Sequence, residues 1–150
     1  MSENKTKMVD ITEKPIVKRK ATASGKISLK EETIKKIRNK QIKKGDPITV
    51  GKIAAINAVK QTPLLIPMCH QIPITMIDFE TDISERVITV FVTVTAEAKT
   101  GVEMEALVGV TTFLNVIWDM TKYLEKDENG QYPTTKISDI KVISKEKEKT

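Results

Sequence analysis

Residues 86–98 read RVITVFVTVTAEA and alternate without a break. Ile88, Val90, Val92 and Val94 point one way, and Thr89, Phe91, Thr93 and Thr95 the other. This period-2 pattern is that of a β-strand. Apolar groups on both faces require helices over one face and something else over the other, such as another subunit. The preceding PITMIDFETDI, residues 73–83, reads as its partner strand, with Ser84 and Glu85 in the turn.

The cover is legible further on. Residues 100–126, TGVEMEALVGVTTFLNVIWDMTKYLEK, form the longest helical pattern. Val102, Ala106, Val110, Phe113, Ile117, Met120 and Leu124 make one apolar stripe. Thr100 and Glu103 have the spacing of a capping box. Upstream, IVKRKATASGKISL supplies a first strand, and SLKEETIKKIRNK a short helix that a Ser28–Glu31 box would open. GDPITVGKIAAINAVK supplies a second helix, with Asp46 as N-cap, Pro47 as first residue, and Ala54, Ala55 and Ala58 small enough for close packing. Gln61, Thr62 and Pro63 end it. After the turn-rich DENGQYP, TTKISDIKVIS is a last strand. The order β-α-α-β-β-α-β predicts an α+β fold: a ferredoxin-like sandwich, an antiparallel sheet with helices packed on one face.

At 150 residues the chain is one domain with a substantial core. The expected division is a flexible arm over 1–9, one catalytic domain over 10–143 and a charged tail over 144–150. No run is apolar enough to span a bilayer and MSENKTKMVD has no apolar signal core, so a cytoplasmic location is expected. A single cysteine makes no internal disulfide and fits a reducing compartment. The net charge of +5 suits either a solvated surface or a polyanionic partner. Single-strand nucleic-acid binding wants aromatics among the basic residues, and the basic half before residue 60 has none.

Two places hold chemistry. The first is LIPMCHQIPI, residues 65–74, with the chain's only cysteine and only histidine adjacent and prolines on either side. A Cys69–His70 nucleophilic pair is disfavoured because neighbours in an extended segment point apart. A zinc site lacks further Cys or His ligands. A structural role and a binding loop with His70 bonding a ligand both stay open. The second is the polar side of the long helix, with Glu105, Thr112, Asn115, Asp119 and Lys122 beside Met104 and Val108. Asp119, next to Trp118 and near Lys122, is expected to be partly buried with a tuned acidity. Glu105 and Asp119 are roughly 21 Å apart at about 1.5 Å per residue, so a small substrate touching both needs two chains. Lys43 and Lys44, just before the second helix, make an anion site there reasonable, and no P-loop pattern is present.

MVDI, KKGD, KIAAINAVKQTPLLIPMCHQIPI, KTGVEMEALVGVTTFL and WDMTK together resemble cyclic pyranopterin monophosphate synthase, the molybdenum cofactor biosynthesis protein C family, and the resemblance covers residues 8 to about 145. The resemblance implies a ferredoxin-like lyase acting on 3′,8-cyclo-7,8-dihydro-GTP, closing a cyclic phosphate and releasing pyrophosphate. It implies a hexamer, a trimer of dimers, with sites at the dimer interface. It further implies that Asp119, Lys122 and Lys44 are catalytic, and that Met68, Cys69, His70, Met104 and Glu105 bind substrate, with Glu103, Arg19 and Lys145 as lesser matches. No tightly bound cofactor and no metal site are expected, though Mg2+ can accompany the triphosphate; neither is a membrane or nucleic-acid partner. The family's Gly-Gly turn after the final lysine is absent from ISKEKEKT. A non-catalytic ferredoxin-like nucleotide- or RNA-binding module, and an assembly subunit whose polar helix face packs on a partner, are the competing readings.

Overall fold

The computed structural model describes residues 4–148. Its elements run β1 (Val17–Ser28), α1 (Glu31–Arg38), α2 (Pro47–Lys60), a one-turn α3 (Thr62–Leu65), β2 (Ile74–Ile83), β3 (Val87–Ala98), α4 (Glu103–Glu125) and β4 (Lys136–Glu148). The four strands form one antiparallel sheet in the order β2-β3-β1-β4, the ferredoxin-like arrangement, with helices packed on one face. Only α3 is an element the sequence pattern does not give. It forms where Gln61 closes α2 and Pro63 can sit in a first turn, since an N–H there has no intrahelical partner.

The core lies between sheet and helices. Ile88, Val90, Val92 and Val94 are fully buried beneath α4, whose apolar stripe is buried up to Met120, with Leu124 packed at its edge. On β3 the opposite set, with Phe91 and Thr93, lies on the open face of this chain, where the Thr22 and Thr93 hydroxyls bond at 2.7 Å. α2 meets α4 through Gly51, Ala55 and Val59 rather than through Ala54 and Ala58. A Cβ on Gly51 would lie 2.6 Å from the Phe113 ring, and one on Gly109 3.0 Å from Val59. The close helix contact therefore depends on two glycines, not on the alanine run.

Asp46 caps α2 as its sequence predicts, accepting from the Ile48 amide at 3.0 Å and the Thr49 hydroxyl at 2.9 Å. Neither predicted capping box forms. Ser28 ends β1, and the N-cap of α1 is Lys30. The Lys30 amide is taken by the buried Glu125 carboxylate at 3.0 Å, a cap supplied from the end of α4. Val102, not Thr100, precedes α4, with no side-chain cap.

The division at residue 144 does not hold, because β4 continues to Glu148. Lys145–Glu148 alternates in sign like a solvated tail, but Glu146 and Glu148 lie across from Lys20 and Lys18 on β1. Opposite charges facing across a ladder favour pairing over fraying. Residues 149 and 150 of the expected tail, and residues 1–3 of the expected arm, lie outside the described residues.

Candidate active site

The predicted site residues gather in two places at opposite ends of α4. At its C-terminal part, Asp119 lies between two ammonium groups. Its Oδ2 accepts from Lys44 Nζ and its Oδ1 from Lys122 Nζ, each at 3.0 Å. α4 supplies Asp119 and Lys122 one turn apart, and the turn before α2 supplies Lys44, with Gly45 at φ +118° redirecting the chain. Asp46 already occupies the α2 N-terminus, so an anion would meet the lysines rather than that helix end.

Asp119 is not buried beside Trp118. Its side chain is 55% exposed, and Trp118 packs instead at a tilt against Tyr132, with ring centroids 5.1 Å apart. Bonds and charge from Lys122 and Lys44 hold the Asp119 carboxyl below the usual carboxylate range. The same contact raises Lys122 above the usual lysine value. At neutral pH the cluster is one carboxylate flanked by two cations.

The second half lies at the start of α4. Met68, Cys69, His70, Glu103, Met104 and Glu105 line one cavity of about 330 Å³. Cys69 and His70 thus reach the same space, although the extended-segment rule has them pointing apart. They follow α3, where the Cys69 amide closes a turn on Ile66 O at 3.0 Å. The thiol is pushed up, first by burial and then by the Glu105 charge, so it stays protonated and is a poor nucleophile. Lys145 reaches this half from β4, its Nζ 3.5 Å from Glu103 Oε1. Arg19 does not line the cavity. It is buried, and it donates from Nε to Ala98 O and from Nη2 to Lys99 O, each at 3.3 Å, bracing the turn into α4.

Glu105 departs from the solvent-face pattern, for it is only 3% exposed. Burial pushes its carboxyl above the usual value, against its own amide, which favours the anion. A carboxylate whose folded value is raised costs the fold stability as pH rises from the unfolded value through the folded one. Glu105→Gln is therefore expected to raise Tm at pH 7 and leave it unchanged near pH 4. A thermal scan at both pH values checks this, and an equal shift at both would mean that the charge is not the cause.

The cavity also takes Lys7, Val9, Ile11 and Lys14 from the segment before β1. Sequence reasoning assigned this arm no function. The one available signal was MVDI, which belongs to the family-like stretches yet precedes the first strand.

A model of the MoaC family matches residues 8–148, which takes in both halves. The chain belongs to the MoaC family. It is 56% identical over 139 residues to a "probable cyclic pyranopterin monophosphate synthase" of Sulfurisphaera tokodaii, covering 93% of this chain and 92% of the relative. It is 52% identical over 147 residues to the protein so named in Pyrococcus horikoshii, covering 98% and 92%. A Methanothermobacter thermautotrophicus relative, 53% identical over 145 residues and covering 97% and 91%, is named a "probable cyclic pyranopterin monophosphate synthase accessory protein".

Proposed function

We infer that the chain is a lyase of molybdenum cofactor biosynthesis that converts 3′,8-cyclo-7,8-dihydro-GTP to cyclic pyranopterin monophosphate with release of pyrophosphate. The observation that carries this is the MoaC match across residues 8–148, which includes the lysine-flanked Asp119 and the Cys69–His70 cavity. Lys44 and Lys122 are suited to the triphosphate, because fixed cations best meet charge that develops on phosphate oxygens. Asp119 holds both lysines and is the candidate for proton transfer. His70, Met68, Cys69, Met104 and Glu105 receive the ring system, with Glu103 and Lys145 at the rim.

α4 runs unbroken from Glu103 to Glu125, so the two halves stay roughly 21 Å apart at about 1.5 Å per residue. One substrate spans them only if one chain supplies the lysine half and a second the cavity half. This supports a site at a dimer interface, while the hexamer, a trimer of dimers, rests on the family resemblance. Mg2+ can accompany the triphosphate, held through its phosphate oxygens. No described helix is long and apolar enough to cross a membrane, and we place the enzyme in the cytoplasm.

A nucleic-acid-binding module fits less well. The open sheet face that such a module would use has mixed charge and no basic stripe, with Asp78 and Glu80 beside Phe91 and Thr93 as well as Lys20 and Lys26 on β1. Carboxylates there repel a phosphate backbone. Incubation with 3′,8-cyclo-7,8-dihydro-GTP, following pyrophosphate and the pterin product, tests the proposal. Formation of both is expected, and no turnover by a folded oligomer would overturn it.

A further inference from the structure

Residues 4–14 belong to no helix or strand, yet three sets of bonds shape the last part of this segment. The Val9 carbonyl oxygen is 2.6 Å from His70 Nε2. Lys99 Nζ donates to Thr12 O at 3.0 Å. Asp10 Oδ1 accepts from the Thr12 amide at 2.8 Å and the Thr12 hydroxyl at 2.5 Å, and the Lys14 amide closes the next turn on Ile11 O at 3.0 Å. Burial does not hold the segment down, since the Val9 side chain is 66% exposed. A chain end resting loosely on a surface needs neither the bond to His70 nor the one from Lys99, which join residues 61 and 87 apart in sequence.

The first bond has a chemical consequence. A carbonyl oxygen only accepts, so His70 Nε2 carries the proton. In the neutral imidazole Nδ1 is then a lone-pair acceptor and the ring's one remaining polar atom. The Val9–Lys14 segment lines the same cavity as His70 and Glu105. We propose that Lys7–Lys14 is a strap forming one wall of the substrate pocket, and that the Val9 carbonyl positions His70 so that Nδ1 accepts from the ligand. The complementary ligand group is a ring N–H or exocyclic amine, as a guanine-derived base carries; this last identification rests on the proposed function. The strap is a positioning element and touches the chemistry only through His70.

His70 is the only histidine, so one isotope-labelled side chain gives a single set of NMR signals. In the ligand-free full chain the expected spectrum is the Nε2–H form, with that proton protected from solvent exchange. In a chain lacking residues 1–12 the protection is lost. The same truncation is expected to raise KM about tenfold, the loss of roughly one hydrogen bond, with kcat within about twofold. If the truncated chain does not fold, Asp10→Ala in the full chain replaces it. That change frees the Thr12 donors and should weaken protection and raise KM by about threefold. An Nδ1–H form in the full chain, or protection and KM both unmoved by loosening the strap, overturns the proposal. Absence of turnover by the full chain would count against the proposed function instead, and the ligand-free spectrum would still decide the strap.

Discussion

Replacing Asp119 by asparagine is expected to lower kcat by roughly 10²- to 10⁴-fold, the range for removal of one positioned proton-transfer group, while the protein stays folded. The side chain is 55% exposed and its partners are Lys44 and Lys122, so no core contact is lost. Asparagine keeps the shape and removes the charge. The two ammonium groups then lose the anion that draws them together, and the group able to take a proton is gone. Steady-state kinetics on the cyclised dihydro-GTP, beside circular dichroism, checks this. Retained kcat with a raised KM would mean that Asp119 only arranges the lysines. The proposed two-chain site makes a companion expectation. Asp119→Asn and His70→Gln are each defective alone, but in randomly mixed dimers a mixed pair has one site free of both changes. Co-refolding at equal amounts should restore about a quarter of the sites, as two-fold symmetry requires. No recovery from demonstrably mixed oligomers would place both residues in one chain's site.

Much of this was legible in the sequence because it rests on local patterns. The alternation from Ile88 to Val94 and the stripe from Val102 to Met120 each fixed an element and its buried face, and two such signals with the element order leave few ways to fold. The Asp46–Pro47 start was also readable, since the cap and its amide are two residues apart. What failed depends on contacts distant in the chain. Ser28–Glu31 has the spacing of a capping box, but a carboxylate 95 residues away reaches the Lys30 amide instead. Asp119 beside Trp118 looked buried, yet Tyr132 takes the ring and leaves the carboxylate to the lysines. Helical spacing put Glu105 on the polar side of α4 without telling how deeply it is buried, and it lies almost covered in the cavity it shares with Cys69 and His70. Residue type and spacing alone singled out Asp119, Lys122, Lys44, Glu105 and the Cys69–His70 loop, and the family resemblance supplied their roles. Helical rise alone already set Glu105 far from Asp119, and the structure adds that the segment before β1 lines the same cavity as Glu105.

Glu125 is the buried polar residue whose loss should cost the fold heavily. It is fully buried at the end of α4 and serves three segments. Its carboxylate accepts from the Lys30 amide at 3.0 Å, from the Thr33 hydroxyl, and from the Thr135 hydroxyl at 2.6 Å. Through it the C-terminus of α4, the N-terminus of α1 and the residue before β4 are fixed to one point. Glu125→Ala would strand an amide and two hydroxyls in a dry cavity, and a buried donor left unsatisfied costs about 1–3 kcal/mol. Thr33 and Thr135 can turn their hydroxyls elsewhere, whereas the Lys30 amide cannot, so the total should be about 3–4 kcal/mol. Against a typical stability of about 5–15 kcal/mol that is a large share. Glu125→Gln fills the space but turns an amide donor toward other donors, and about 2 kcal/mol should still be lost. Urea unfolding at constant subunit concentration gives both values, with the midpoint falling and the slope unchanged. Because Glu125 touches neither half-site, kcat of the folded fraction at low temperature should match wild type. A loss below about 1 kcal/mol for Glu125→Ala would mean that water replaces the carboxylate at the Lys30 amide, and that α1 is held by its other contacts, Ile34 and Ile37 in the core and Arg38 on the Ile83 carbonyl.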